Sequence, residues 1–322
     1  MLSLFSRNLF INVIILAVFT VALHVKLFIT PVVTPVELPL FESISAFLNS
    51  SSYVQSIITI VLVLAQALLL SRYITIHRLS RALSLIPGAV FVLFVYSVLE
   101  PDNFNIILLA NFFFVLSLGS LFQIYKKHQP IAALFNSGFF LGMASIIYIP
   151  YFIFLIALII GLYNLRNFNL KEFLQIFFGL VSVLFLSGVF AFYHDKFDVW
   201  NALFTNSFSI PDFDFSSIHI WVKPLILLVT ILVILAVNNT IRKKKKYDAI
   251  RKIELTYSLC LLGFLSIFMV EKINLQHLMI MSVPISILGG MVLEQKEYYY
   301  LKEFIFLLLI GFFLALSYGY IG

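Results

Sequence analysis

The sequence predicts an all-α fold, a polytopic bundle of about 11 transmembrane helices with a cytoplasmic N-terminus and an external C-terminus. Three observations predict it. Of 322 residues, 62% are hydrophobic and 11% charged, with a mean hydropathy of +1.06, whereas soluble domains carry nearer a quarter charged residues. Apolar runs close to the roughly 20 residues that cross a bilayer recur along the whole chain. Basic residues gather in alternate gaps between those runs.

The predicted spans are 8–29, 53–75, 82–99, 106–124, 131–148, 150–165, 172–193, 220–238, 253–270, 276–293 and 303–320. Leu, Phe, Ile and Ala fill them continuously, without the alternation of an outer-membrane barrel strand, so helices are expected. The first, Asn8 to Ile29, is longer than a signal-peptide core and no small-residue cleavage site follows it, so it reads as a retained span. Pro87-Gly88 reads as a single kink in the third. In the fifth and sixth, 35 residues make two short spans meeting at Tyr148, Ile149 and Pro150, where proline cannot continue the hydrogen-bonded ladder and the chain is expected to reverse.

The whole chain, 1–322, reads as a single transmembrane domain. With the N-terminus inside, 17 of the 21 basic residues are cytoplasmic, including Arg72, Lys126, Arg166 and the run from Arg242 to Lys246. Lys26, Lys196, Lys223 and Lys272 are left outside, an asymmetry that satisfies the positive-inside rule. The basic loop 239–252 is thereby a topology anchor beside anionic headgroups, and the net charge of +6 implies no nucleic-acid partner. Trp200 and Trp221 fall at the outer headgroup belt, Tyr298, Tyr299 and Tyr300 at the inner one. The single cysteine, Cys260, lies in an apolar segment and excludes an intrachain disulfide.

Two outer segments exceed a turn. The loop 30–52 carries Pro31, Pro35 and Pro39, then apolar residues Leu40, Phe41, Ile44, Phe47 and Leu48 at helical spacing, which predicts an interfacial helix with Glu42 near its start. The loop 194–219 interleaves His194, Asp195, Lys196, Asp198, Asp212 and Asp214 with aromatic residues. There is no Walker loop, dinucleotide fingerprint, zinc-ligand spacing or nucleophile elbow. Ionisable residues are nearly absent from span centres and gather at their outer ends, so any site is expected at the outer membrane boundary.

The first outer loop with its carboxylate and interfacial helix, the small-residue stretch from Phe135 to Tyr151 and the stretch from His277 to Gly290 together resemble the C-class, polyprenyl-phosphate-sugar-dependent integral membrane glycosyltransferases. The composition is also similar to that of inner-membrane proteins of Bacteroidota. The resemblance runs over about 30 to 290 in organisation and implies sugar transfer from a polyprenyl phosphate carrier at the outer face of a bacterial inner membrane. It implies Glu42 or Glu37 as the catalytic carboxylate, and Lys272 with His277 as the cation for the departing phosphate. His194 and Lys196 join them as substrate-binding candidates. The chain departs from the family in having separated glutamates where an acidic pair or a lone aspartate is usual. No cofactor or resident metal is expected, although a carboxylate could also hold a divalent cation. Membrane lipids are the expected partners. The competing expectations are a non-catalytic membrane subunit of an envelope-assembly or secretion complex, and a lipid or solute transporter.

Overall fold

The computed structural model describes residues 2–5, 10–29, 33–77, 79, 84–99, 104–166, 169–205, 230–238, 242, 245, 247–270, 274–294, 300, 302–303, 306–307 and 310. Among them the chain is helical with no strand. After the short α1 (Leu2–Phe5) come α2 (Phe10–Ile29), α3 (Glu42–Leu48), α4 (Ser52–Ile76), α5 (Ile86–Leu99) and α6 (Ile106–Phe122). Then follow α7 (Ile131–Ile147), a 3-10 turn at Ile149–Ile153, α8 (Phe154–Leu165), α9 (Leu170–Tyr193) and α10 (Phe197–Thr205). Residues 230–238 are helical. The bundle continues with α11 (Tyr247–Leu265), 3-10 turns at Ser266–Met269 and Leu275–Met281, and α12 (Ser282–Leu293).

Among the described residues four helical stretches are long and apolar enough to cross a membrane: Ser52–Ile76, Leu170–Tyr193, Ala249–Met269 and Gln276–Leu293. Five shorter apolar helices accompany them. Most of the spans expected at 303–320 and 220–238, with Trp221, Tyr298, Tyr299 and the loop from 206 to 219, lie outside the described residues.

The helices alternate in direction, and their ends can be matched by contacts. At one end the amide N–H of Leu85 donates to the carbonyl of Phe5 at 2.8 Å, and Lys245 Nζ donates to the Leu79 carbonyl at 2.7 Å. At the same end Lys126 and Lys252 lie over the Tyr125 ring at 5.3 and 5.2 Å. Arg166, which closes α8, donates to the carbonyls of Ile124 (3.4 Å) and Lys127, just before α7 begins. A helix that leaves this turn and a later one that returns to it require a reversal between them, and the 3-10 turn after Tyr148 supplies it. By contrast, Pro87 does not kink a helix. α5 starts one residue earlier, so the proline occupies the first turn, where its missing N–H costs nothing.

Close helix approach is built from glycine. α7 packs between α6 and α9, and a Cβ on Gly138 would sit 1.9 Å from the Ile176 carbonyl oxygen, while one on Gly179 would sit 2.2 Å from that of Phe135. Gly138 and Gly142 are four apart on one face, the small-residue spacing that lets helix backbones touch in lipid. α5 similarly lies between α4 and α12, with Gly290 against Pro87. The outward face of α9, including Phe178, Phe185, Leu186 and Phe192, is exposed, as expected of a helix whose solvent is lipid.

Candidate functional site

The end of the bundle opposite the basic turns is crossed by residues 33–38 in extended conformation, followed by a turn in which the Phe41 N–H donates to the Leu38 carbonyl at 2.9 Å. Thr34, Val36, Leu38 and Leu40 are buried, whereas Val33, Pro35, Glu37 and Pro39 are exposed. This alternation of period two belongs to an extended chain. Leu40 and Phe41, expected in the interfacial helix, therefore belong to this strap, and the helix is confined to Glu42–Leu48. The cause is a better use of the backbone. Gln55 clasps Thr34, accepting from its N–H at 3.1 Å and donating to its carbonyl at 2.7 Å. Asn49 does the same for Val36 at 2.9 and 3.0 Å. Two amide side chains thus act as the neighbouring strand, while Pro35 and Pro39 carry no N–H along the chain.

The strap spans the bundle. Val36 and Leu38 pack with Leu48 and Phe104, and Leu40 with Ile146, Val183 and Ala191. It delivers Glu42 to the end of α9, where Lys196 Nζ stands 2.7 Å from Glu42 Oε1 and 3.4 Å from the Pro39 carbonyl. The lysine is aimed by the helix terminus. Its N–H returns to the Ala191 carbonyl at 2.8 Å, and Asp195 adopts φ 56°, the left-handed residue that such a helix ending needs. His194 caps α9, its ring 4.4 Å from that of Phe190. Trp200 Nε1 donates to Ser187 Oγ at 3.0 Å, fixing α10 on α9.

Of the sequence candidates, Glu42, Lys196 and His194 are gathered here. Glu37 is exposed on the strap, and Lys272 lies outside the described residues. His277 is buried. Its Nδ1 is 2.8 Å from Tyr148 Oη and its Nε2 is 3.0 Å from Ser266 Oγ. Ser266 already donates to the Gly263 carbonyl at 2.6 Å. The serine must then accept from Nε2–H, leaving Nδ1 to accept from the tyrosine hydroxyl. The imidazole is neutral in this arrangement and ties the turn after α7 to the turns between α11 and α12. Tyr151 donates to Asn111 Oδ1 at 2.6 Å, and Asn111 donates to the Met279 carbonyl and to Ser282 Oγ at 3.0 and 2.8 Å.

Tyr148, Tyr151 and Ser266 escaped sequence reasoning, because a tyrosine or serine in an apolar run looks the same whether or not it has a distant partner. Among the described residues no group of three or more His, Cys, Asp or Glu could hold a metal ion. No family model, curated protein or solved structure matches the chain.

Proposed function

We propose that the chain is a multi-pass inner-membrane protein, oriented with its basic end in the cytoplasm, that handles a polyprenyl-phosphate-linked sugar at its outer face. The observation that carries this reading is the 2.7 Å approach of Glu42 to Lys196. Sugar transfer needs both groups at one bond: the acceptor hydroxyl forms the new C–O bond at the anomeric carbon as the sugar–phosphate C–O bond breaks. The hydroxyl proton passes to Glu42, and Lys196 offsets the charge on the departing polyprenyl phosphate. The strap that leads into Glu42 supports it, its backbone held at Val36 by Asn49 and at Thr34 by Gln55.

A second reading is favoured by the exposure of the Glu42 side chain, 73%. A carboxylate so open to solvent and already paired can serve as a clip between two loops of a non-catalytic subunit. One experiment separates the readings. Cells lacking the protein are complemented with Glu42→Gln, Glu37→Gln, the double variant and Lys196→Gln, and transfer of labelled sugar from polyprenyl phosphate to envelope acceptors is measured. The catalytic reading predicts a loss on the order of 10² to 10⁴ for Glu42→Gln at unchanged protein level. Full activity in the double variant sinks it and leaves the subunit reading.

A further inference from the structure

The most unusual group in the bundle is His24. The buried stripe of α2 runs Asn12, Leu16, Thr20 and His24, one residue per turn. Asn12 donates to the Leu4 carbonyl and Thr20 to the carbonyl of Leu16. His24 is 0% exposed, yet neither Nδ1 nor Nε2 has a hydrogen-bond partner. Beside it is Tyr96 of α5, with ring centroids 5.6 Å apart in a T-shaped arrangement. Tyr96 is 7% exposed, and its hydroxyl is also without a partner. Three hydrogen-bonding atoms are thus buried side by side and unused. The contrast with His277 is direct, since that equally buried imidazole has both nitrogens occupied by protein.

Buried donors and acceptors left unmade are costly, and more so where neighbours are hydrocarbon. A neutral imidazole offers one donor and one acceptor, and a phenol offers one donor with acceptor capacity. The complement of that set is a small neutral group that itself both donates and accepts. Among the described residues no carboxylate joins the pair to favour a cation, and no fixed positive charge stands on it to favour an anion. Phe28 closes one side of the imidazole, 5.4 Å away and edge-on, and stacks on Tyr53 at the start of α4 at 6.5 Å. Because α2 runs from the basic end toward the strap, His24 lies in the strap-side half of the bundle.

We propose that His24 and Tyr96 form a buried polar site that binds one hydroxyl group, of water or of a lipid headgroup, held between the imidazole and the phenol. The site is independent of the Glu42–Lys196 pair and stands whether or not the protein is an enzyme.

Solid-state NMR on the full chain tests this, with histidine labelled in nitrogen-15 and tyrosine at Cζ in carbon-13, in nanodiscs of phosphatidylethanolamine and phosphatidylglycerol. His24 is assigned by the resonances missing in His24→Phe. One His24 nitrogen, the one facing Tyr96, is expected at a hydrogen-bonded shift, with magnetisation arriving from an exchangeable proton, and Tyr96→Phe is expected to lose most of that transfer. Transfer from water protons alone identifies water. Additional transfer from headgroup C–H protons, abolished by deuterated lipid, identifies the lipid. Free-imidazole shifts at both nitrogens would overturn the proposal. So would a direct contact between a His24 nitrogen and the Tyr96 hydroxyl with no third group. If Tyr96→Phe fails to fold, the water and lipid arms on the unmodified chain still decide.

Discussion

At the scale of single residues, the Glu42–Lys196 pair joins two loops with little energy. An exposed ion pair contributes about 0–1 kcal/mol, and Glu42 is 73% exposed, so the lower half of that range applies. Glu42→Gln is therefore expected to leave the melting temperature of the purified protein nearly unchanged, and any loss of activity in that variant would report chemistry. A large drop in stability would mean that the pair is structural. Asp195 makes a separate prediction. With φ 56° it occupies a conformation that a glycine adopts freely, at a cost of roughly 1 kcal/mol to other residues. Asp195→Gly should be neutral or stabilise by up to about 1 kcal/mol, and a clear destabilisation would show that the aspartate side chain is needed where it stands.

His77, which caps α4, responds to pH. Burial, and next the charge of Lys252, push its pKa from 6.5 down to about 4. The folded value lies below the unfolded one, so between about 4 and 6.5 the unfolded chain binds more protons and stability rises with pH. Acidification across that window should lower the melting temperature, and His77→Phe should flatten that fall. An identical pH profile in the variant would mean that His77 is not a controlling group.

At the scale of elements, the strap and the α7–α9 contact carry the argument. Gln55→Leu removes the clasp on Thr34 and leaves a buried N–H and C=O without that partner, at a cost of about 1–3 kcal/mol. Protease sensitivity at the strap should rise in Gln55→Leu and in Asn49→Ala, and unchanged protection would deny the clasps a role. Gly138→Ala places a Cβ into a backbone carbonyl of α9, an overpacking cost of about 1–3 kcal/mol, and should be more harmful than the same change at Gly188, whose nearest neighbour would be Trp200 at 3.5 Å. Helix positions were legible in the sequence because twenty apolar residues in succession admit few alternatives. The strap was not. Its apolar residues Leu40, Phe41, Ile44, Phe47 and Leu48 fit a helical period, whereas Gln55 and Asn49, acting across the chain, hold Thr34 and Val36 extended, and the turn that follows takes Leu40 and Phe41 out of the helix. His277 was misleading for a related reason: beside a polar loop it resembles an available cation, whereas Tyr148 and Ser266, far away in sequence, occupy both of its nitrogens.

At the scale of the whole molecule, the separation of charge is the central feature. Lys126, Lys127, Arg166, Lys245 and Lys252 surround the turns of one end, and Lys196 stands at the other beside the strap. Alternate gaps in the sequence already carry this asymmetry, and the contacts bring those gaps to one end of the bundle. By the positive-inside rule we propose that this end faces the cytoplasm and the Glu42–Lys196 pair the outside. The most direct test is thiol labelling of intact cells in a Cys260→Ser background, with single cysteines at Asp198 in α10 and at Lys127 in the turn before α7. The account predicts that an impermeant maleimide labels the Asp198 position from outside, and the Lys127 position only after the membrane is opened. Labelling of Lys127→Cys in sealed cells, or of both positions from the same side, would contradict it.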